Sequence, residues 1–224
     1  MDCANQMIDS SRFLVFGGNG AIGEACAQAI TSVGQVTLGN RNFIELEKQI
    51  ATIDHFDGVI WAQGVNFADS SLDFNLVEYE EMMSANVTFV LNSLKVLLGA
   101  GKLKKNAQLV VLSSIWGQLS RPNKLSYGVS KAAIGGLVRS LAVDLGPKGI
   151  QVNSVAPGPI DTPMTIKNLS TNDLERIILE SPLKRLVTLE EVVSVVLEVV
   201  TGKFSGMTGQ EIILDGGWGV SKLV

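Results

Sequence analysis

With 224 residues the chain fits one domain with a substantial core and is too short for two of comfortable size. Apolar residues make up 46% and charged ones only 18%, below the usual quarter, so much surface is expected inside the fold or between subunits. A net charge of −4 without a basic tract excludes the electrostatic footprint of a protein that grips nucleic acid or an anionic membrane.

The first residues, Met1 to Arg12, are polar and lack an apolar signal core. No later stretch approaches about eighteen uninterrupted apolar residues, so a cytoplasmic protein without a membrane partner is expected. Cys3 and Cys26 are too few for a disulfide framework, and with His55 the sole histidine no metal site is expected. Arg12-Phe13-Leu14-Val15-Phe16 is a short apolar run without helical period, halted by Gly17-Gly18-Asn19-Gly20-Ala21-Ile22-Gly23 and followed by helix-like Glu24 to Val33. The spacing Gly18-x-Gly20-x-x-Gly23 matches a dinucleotide fingerprint, in which missing side chains let backbone N–H groups and a helix N-terminus approach a pyrophosphate. Any glycine-rich turn could show this spacing, so the strand before it and the helix after it carry weight.

Val36-Thr37-Leu38 reads as the second strand, followed by Gly39-Asn40-Arg41. An acidic side chain here would accept from the ribose 2′-hydroxyl of NAD, whereas an arginine can pair with a 2′-phosphate. Asn40 and Arg41 therefore favour NADP(H) over NAD(H); the alternative is that Arg41 merely solvates a strand end. Phe43, Leu46, Ile50 and Ile53 have helical spacing, and Val59 to Ala62 is a buried strand followed by Gln63-Gly64. A long helical pattern from Val77 to Leu98 carries Asn86, whose amide must find partners if buried or cap a local kink. Val110-Val111-Leu112-Ser113-Ser114 is a strand ending in two hydroxyls, either of which could simply bond the backbone.

Tyr127-Gly128-Val129-Ser130-Lys131 then opens a mostly buried helix that ends at Gly146-Pro147. A spacing of four places Tyr127 and Lys131 on one face, where the ammonium would favour the phenolate and make the tyrosine an acid or base nearer neutrality. Such a pair also arises by chance. Beyond it come a strand from Ile150 to Val155, a rigid turn Pro157-Gly158-Pro159-Ile160-Asp161-Thr162, a short helix from Asp173 to Leu179, a strong helix from Leu189 to Val200 and a closing strand, Glu211 to Leu214.

The glycine turn, Ser114 thirteen residues before Tyr127, the Tyr127 to Lys131 segment, Asn153-Ser154-Val155-Ala156-Pro157-Gly158, and the tail from Met207-Thr208-Gly209-Gln210 to Leu214-Asp215-Gly216-Gly217 together resemble the short-chain dehydrogenase/reductase family over nearly the whole chain. The resemblance implies a single-domain α/β Rossmann-type doubly wound parallel sheet over residues 1–224. Six strands are expected, one strand and one helix fewer than usual, because only about twenty residues separate Arg41 from the strand at Val59. The shortened part normally supplies an aspartate to the adenine, for which Asp54 is the nearest substitute. Phe16 and Ala21 depart from the family's glycine motif, although Gly17-x-x-Gly20-x-x-Gly23 resembles the form in longer members; Trp61-Ala62-Gln63-Gly64 stands where Asn-Asn-Ala-Gly is usual.

By the same resemblance Gly17, Gly18, Asn19, Gly20, Ile22, Gly23, Asn40, Arg41, Gly64, Pro157 and Gly158 would hold the cofactor. The Ile160 backbone and the Thr162 hydroxyl would hold the nicotinamide carboxamide. Tyr127 would be the acid/base, Lys131 would lower its pKa and hold the nicotinamide ribose, Ser114 would bond the carbonyl oxygen, and Asn86 would anchor a water relay. Trp116, Leu119, Arg121 and Asn123 would line the substrate pocket, with 163–186 as a variable lid. The implied activity is ketone or aldehyde reduction, or alcohol oxidation, on a small-molecule substrate by a homodimer or homotetramer. A non-catalytic nucleotide-binding sensor, or a sugar isomerase, epimerase or dehydratase, remain alternatives.

Overall fold

The first apolar run forms β1 (Arg12–Phe16), buried on both faces from Phe13 onward, as a strand inside a two-sided parallel sheet requires. Leu14 and Phe16 enter one core and Phe13 and Val15 the other, the period-2 alternation of a pleated strand. The computed structural model describes residues 11–160, 162, 165 and 169–221. Around β1 stand β2 (Gln35–Leu38), β3 (Phe56–Trp61), β4 (Leu103–Leu112), β5 (Gln151–Pro157) and β6 (Glu211–Leu214), in the order β2-β1-β3-β4-β5-β6 with each neighbouring pair parallel. These are the six strands expected. The order reverses between β1 and β3, which opens a crevice at the strands' C-terminal ends.

Among the described residues seven α-helices cover the sheet: α1 (Ala21–Ile30), α2 (Phe43–Ala51), α3 (Leu76–Met83), α4 (Phe89–Gly99), α5 (Leu125–Leu145), α6 (Thr171–Glu180) and α7 (Leu189–Val200). Leu46 and Ile50 of α2, Leu94 and Leu97 of α4, and Ile134 and Val138 of α5 pack on one face; Cys26 and Ile30 of α1 and Val192, Val196 and Val199 of α7 pack on the other. As anticipated, the interval between β2 and β3 holds only α2, started by Asn42, whose side-chain oxygen accepts from the N–H groups of Ile44 and Glu45. Two of the residues that depart from the family pattern, Phe16 and Trp61, pack together here. Phe16 stacks on Trp61 at 5.9 Å and meets Phe89 edge-on at 5.3 Å, and the Trp61 indole N–H donates to Ser93 Oγ at 2.8 Å.

The single helix expected from Val77 to Leu98 is instead α3 and α4 joined by a π-helical turn, Ser84–Thr88. Such a turn shifts the phase of the helix by one residue and is common at functional sites. It carries Asn86. The whole span Leu76–Gly99 is long and apolar enough to cross a membrane by length and composition alone, yet Met82, Asn86, Val90, Leu94 and Leu97 are buried against the domain, as in a core helix.

Candidate active site

The turn after β1 is shaped by two glycines that have no room for a side chain. Gly17 has a φ of +81°, and a Cβ there would lie 2.5 Å from the Gln63 nitrogen; a Cβ on Gly23 would lie 2.2 Å from the Gly17 oxygen. Both are therefore packing glycines that fold the turn onto β3 and α1. Gly18 similarly packs against Leu38. Gly20 differs, since a Cβ there would meet only the Gly17 oxygen at an ordinary 3.5 Å. It caps α1 without a side chain and, with Gly17, Asn19, Ala21 and Ile22, lines a cleft of about 460 Å³. An open helix N-terminus with glycine at its cap fits a pyrophosphate.

Past β2 the two candidate cofactor residues separate. Arg41 lines the cleft, but Asn40 does not: its side-chain oxygen accepts from the Asn42 N–H at 2.9 Å, forming a local turn. Asn40 thus shapes the loop beside Arg41. Asp54 also lies elsewhere; it is exposed, with its carboxylate 2.8 Å from His55 Nδ1.

At the other end, the C-termini of β3, β4 and β5 and the first turns of α5 bring the remaining groups together. Tyr127 and Lys131 line the cleft from one face of α5, as spacing predicted, and Ser114 lines it from the end of β4. All three are buried. The Lys131 ammonium donates to the Leu112 carbonyl at 2.9 Å and lies 5.7 Å from the Tyr127 ring centroid. Burial lowers the Lys131 pKa to about 8, opposed by the charge of Glu211. Tyr127 moves the opposite way from the expected direction: burial raises its pKa to about 12, with a hydrogen bond from Ser114 pulling it back. Desolvation of the phenolate outweighs the Ser114 hydrogen bond, so Tyr127 here is a protonated donor.

Asn86 stands behind this group rather than in the cleft wall, 1% exposed. Its amide oxygen accepts from the Val65 N–H at 2.9 Å, and its NH₂ donates to the Val65 carbonyl at 3.1 Å and to Ser130 Oγ at 2.9 Å. It thus ties the π-turn to the segment after β3 and to α5. A Cβ on Gly64 would lie 3.0 Å from the Asn86 oxygen and 3.8 Å from Lys131 Nζ, so glycine allows this approach.

Pro157, Gly158, Ile160 and Thr162 also line the cleft, Ile160 fixed by a bridge to Val187. Of the lid, residues 163, 164 and 166–168 lie outside the described residues, as does Asp161; Thr165 and Leu169 line the cleft, and α6 follows with Ser170 and Asp173 closing a capping box. Trp116 and Arg121 face the cleft with the guanidinium 5.6 Å from the indole centroid, while Leu119 and Asn123 line a neighbouring hollow instead. Sequence reasoning missed Lys124 and Asn66, both in the cleft lining. Lys124 is buried, 5.5 Å from the Tyr127 ring centroid, and donates to Asn66 Oδ1 at 2.7 Å. Its place three residues before Tyr127, one helical turn away, was the available signal.

The enoyl-(acyl carrier protein) reductase family model matches residues 42–219. The 3-oxoacyl-(acyl-carrier-protein) reductase FabG of Buchnera aphidicola subsp. Schizaphis graminum is 34% identical over 140 residues, covering 62% of this chain but only 57% of that relative's length. The uncharacterized oxidoreductase YmfI of Bacillus subtilis is 30% identical over 166 residues, 74% of this chain and 68% of that protein. A solved structure of a short chain dehydrogenase family protein from Francisella tularensis shares the fold, with a TM-score of 0.83 at 24% identity over 94% of this chain and 99% of that one. The chain belongs to the short-chain dehydrogenase/reductase family.

Proposed function

We propose that this chain is an NADP(H)-dependent oxidoreductase that interconverts a ketone or aldehyde with an alcohol, with Tyr127 as the general acid and base. The observation that carries it is the meeting of Tyr127, Lys131 and Ser114 in one cleft with Arg41 and the open N-terminus of α1 at its far end. When bound, the nicotinamide supplies or accepts the hydride. The glycine turn cradles the pyrophosphate and Arg41 pairs with the 2′-phosphate. Ile160 and Thr162 hold the carboxamide. Ser114 bonds the carbonyl oxygen, and Tyr127 protonates it as negative charge develops. Lys131 holds the ribose and stabilises the phenolate that remains, while Asn86 keeps the residues behind it in place for proton return. Burial keeps the Tyr127 phenol protonated near neutral pH, the form needed to donate to the carbonyl oxygen.

The segment 163–186 serves as the substrate lid of a single domain, 1–224. Exposed apolar side chains on α3 and α5 (Leu76, Val77, Leu125, Val129 and Val143) suit burial in a cytoplasmic homodimer or homotetramer, which sedimentation tests. The test of the activity begins with titration by NADPH and NADH of the wild type and of Arg41→Ala, followed by a carbonyl panel with Tyr127→Phe as control. Tight NADPH binding with no turnover of any carbonyl would sink the oxidoreductase assignment in favour of a nucleotide sensor.

A further inference from the structure

The segment that follows β6 runs across the back of the cleft and touches several of the elements that build it. Asp215 pins it: the carboxylate accepts from the N–H groups of Gly217 at 2.8 Å and Gly219 at 2.6 Å, beside the 3₁₀ turn Trp218–Val220. On one side the segment abuts Gly158 of the cleft lining, where a Cβ would lie 2.8 Å from the Asp215 Cβ. On another it meets the end of α6, since the Gly216 carbonyl accepts from the Ser181 hydroxyl at 2.9 Å and from the Leu183 N–H at 3.3 Å. Gly216 and Gly217 have φ of +67° and +84°, and a Cβ on each would lie 2.8 Å from Ser181 Oγ and 3.0 Å from Pro182 Cγ. Glycine at both positions is what lets the segment lie this close to α6.

Trp218 reaches from this segment in two directions. Its indole N–H donates to Glu180 Oε2 at 2.9 Å, on the last residue of α6. Its ring meets Trp116 edge-on, with centroids 5.6 Å apart and planes at 78°. Trp116 lines the cleft, whereas Trp218 stands behind it, outside the lining. The Trp116 N–H donates to Ser114 Oγ at 3.4 Å, so the ring that Trp218 supports belongs to the turn that begins at the carbonyl-binding hydroxyl. An indole bond to a carboxylate is among the stronger neutral-to-charged hydrogen bonds, and this one is partly buried. Glu180 also lies 3.8 Å from Arg176, an exposed ion pair of little worth.

From these contacts, and resting on the oxidoreductase assignment, we infer that Trp218 is a positioning residue for the substrate side of the reaction: it ties the end of α6 to the Ser114–Trp116 turn and so sets the width of the cleft in front of Tyr127. Trp218 acts through Glu180 and Trp116 and transfers no proton. Cutting the indole bond lets the helix and the turn part, which admits a bulkier carbonyl and loosens the grip on a small one. The signature is therefore a change in selectivity between carbonyls of different bulk, a ratio that does not depend on how much of a variant is folded.

The test uses the full chain with Trp218→Phe, which keeps a ring but loses the N–H; Glu180→Ala, which loses the acceptor; the double variant; and Glu180→Gln, which gives up the charge beside Arg176 but keeps an oxygen for the indole. With NADPH as reductant, kcat/KM is compared for cyclohexanone and the bulkier 2-decalone. The ratio should move about tenfold toward 2-decalone in each single variant, chiefly through KM, and no further in the double variant, because both changes cut the same bond. Glu180→Gln should recover most of the wild-type ratio. In parallel, hydrogen exchange reads the link without any substrate: the amides of Trp116, Gly117 and Gln118, bonded within the Ser114 turn, should exchange about tenfold faster in Trp218→Phe and Glu180→Ala. Unchanged exchange in that turn in folded variants overturns the link, as does a ratio that stays in place or single effects that add in the double variant; each of these leaves the oxidoreductase standing. Faster exchange with no carbonyl of the panel reduced keeps the link and sinks the oxidoreductase.

Discussion

At the β4–α5 end of the cleft, Ser114, Tyr127, Lys131 and Asn86 are each less than a tenth exposed and held by backbone or buried side chains, whereas at the β2 end Asn40 and Arg41 stand exposed on a loop after a short edge strand. Burial sets the chemistry at the first end: it raises Tyr127, lowers Lys131, and makes every unmade hydrogen bond expensive. At the second end a side chain can change without disturbing a core. Proton transfer needs displaced pKa values and fixed geometry, while choosing between two nucleotides needs only one well-placed charge.

The largest effect that would break this contrast is at the acid itself. Tyr127→Phe keeps the ring in its place and should lower kcat about a thousand-fold, with NADPH affinity changed less than about threefold. A variant with near-normal turnover would remove Tyr127 from the chemistry. Next comes the turn on which both ends depend. Gly17→Ala places a Cβ at a φ of +81° and 2.5 Å from the Gln63 nitrogen, so urea unfolding should show a loss of about 2–4 kcal/mol together with weakened nucleotide binding.

Asn86→Ala leaves the Val65 N–H and carbonyl without the amide that now serves both, and a loss of about 1–3 kcal/mol is expected in the same measurement. Arg41→Ala, on the exposed loop, should alter stability by no more than about 0.5 kcal/mol yet reduce the NADPH-over-NADH preference about tenfold or more, read by fluorescence titration. The smallest effect sharpens the role of burial. Lys131 loses its proton as pH rises through about 8, so carbonyl reduction should fall above that pH. Because Glu211 raises the Lys131 pKa, Glu211→Gln should move this limb to lower pH; a shift to higher pH would contradict the assignment.

Much of the fold was legible because its signals are local. Arg12 to Phe16 followed by a glycine turn and a helix could be little other than a buried strand entering a βα unit, and the length of the interval before Val59 gave the strand number. The Tyr127 and Lys131 pair was legible for the same reason, since helical spacing alone puts them on one face. Asn86 was visible as an awkward amide, but the π-turn that aims it was not. That turn is stabilised by Val65 and Ser130, 21 and 44 residues away.

Composition, hydrophobic period and glycine spacing thus determined the parallel α/β architecture, the turn after β1 and the face shared by Tyr127 and Lys131, all of which arise from contacts between near neighbours in the chain. Tertiary structure alone decided which way the buried pKa values move, that Asn40 turns into its own loop while Arg41 lines the cleft, and that Lys124 joins Asn66 beside the phenol. Those outcomes depend on desolvation and on partners far apart in sequence, and neither leaves a periodic trace in the order of residues.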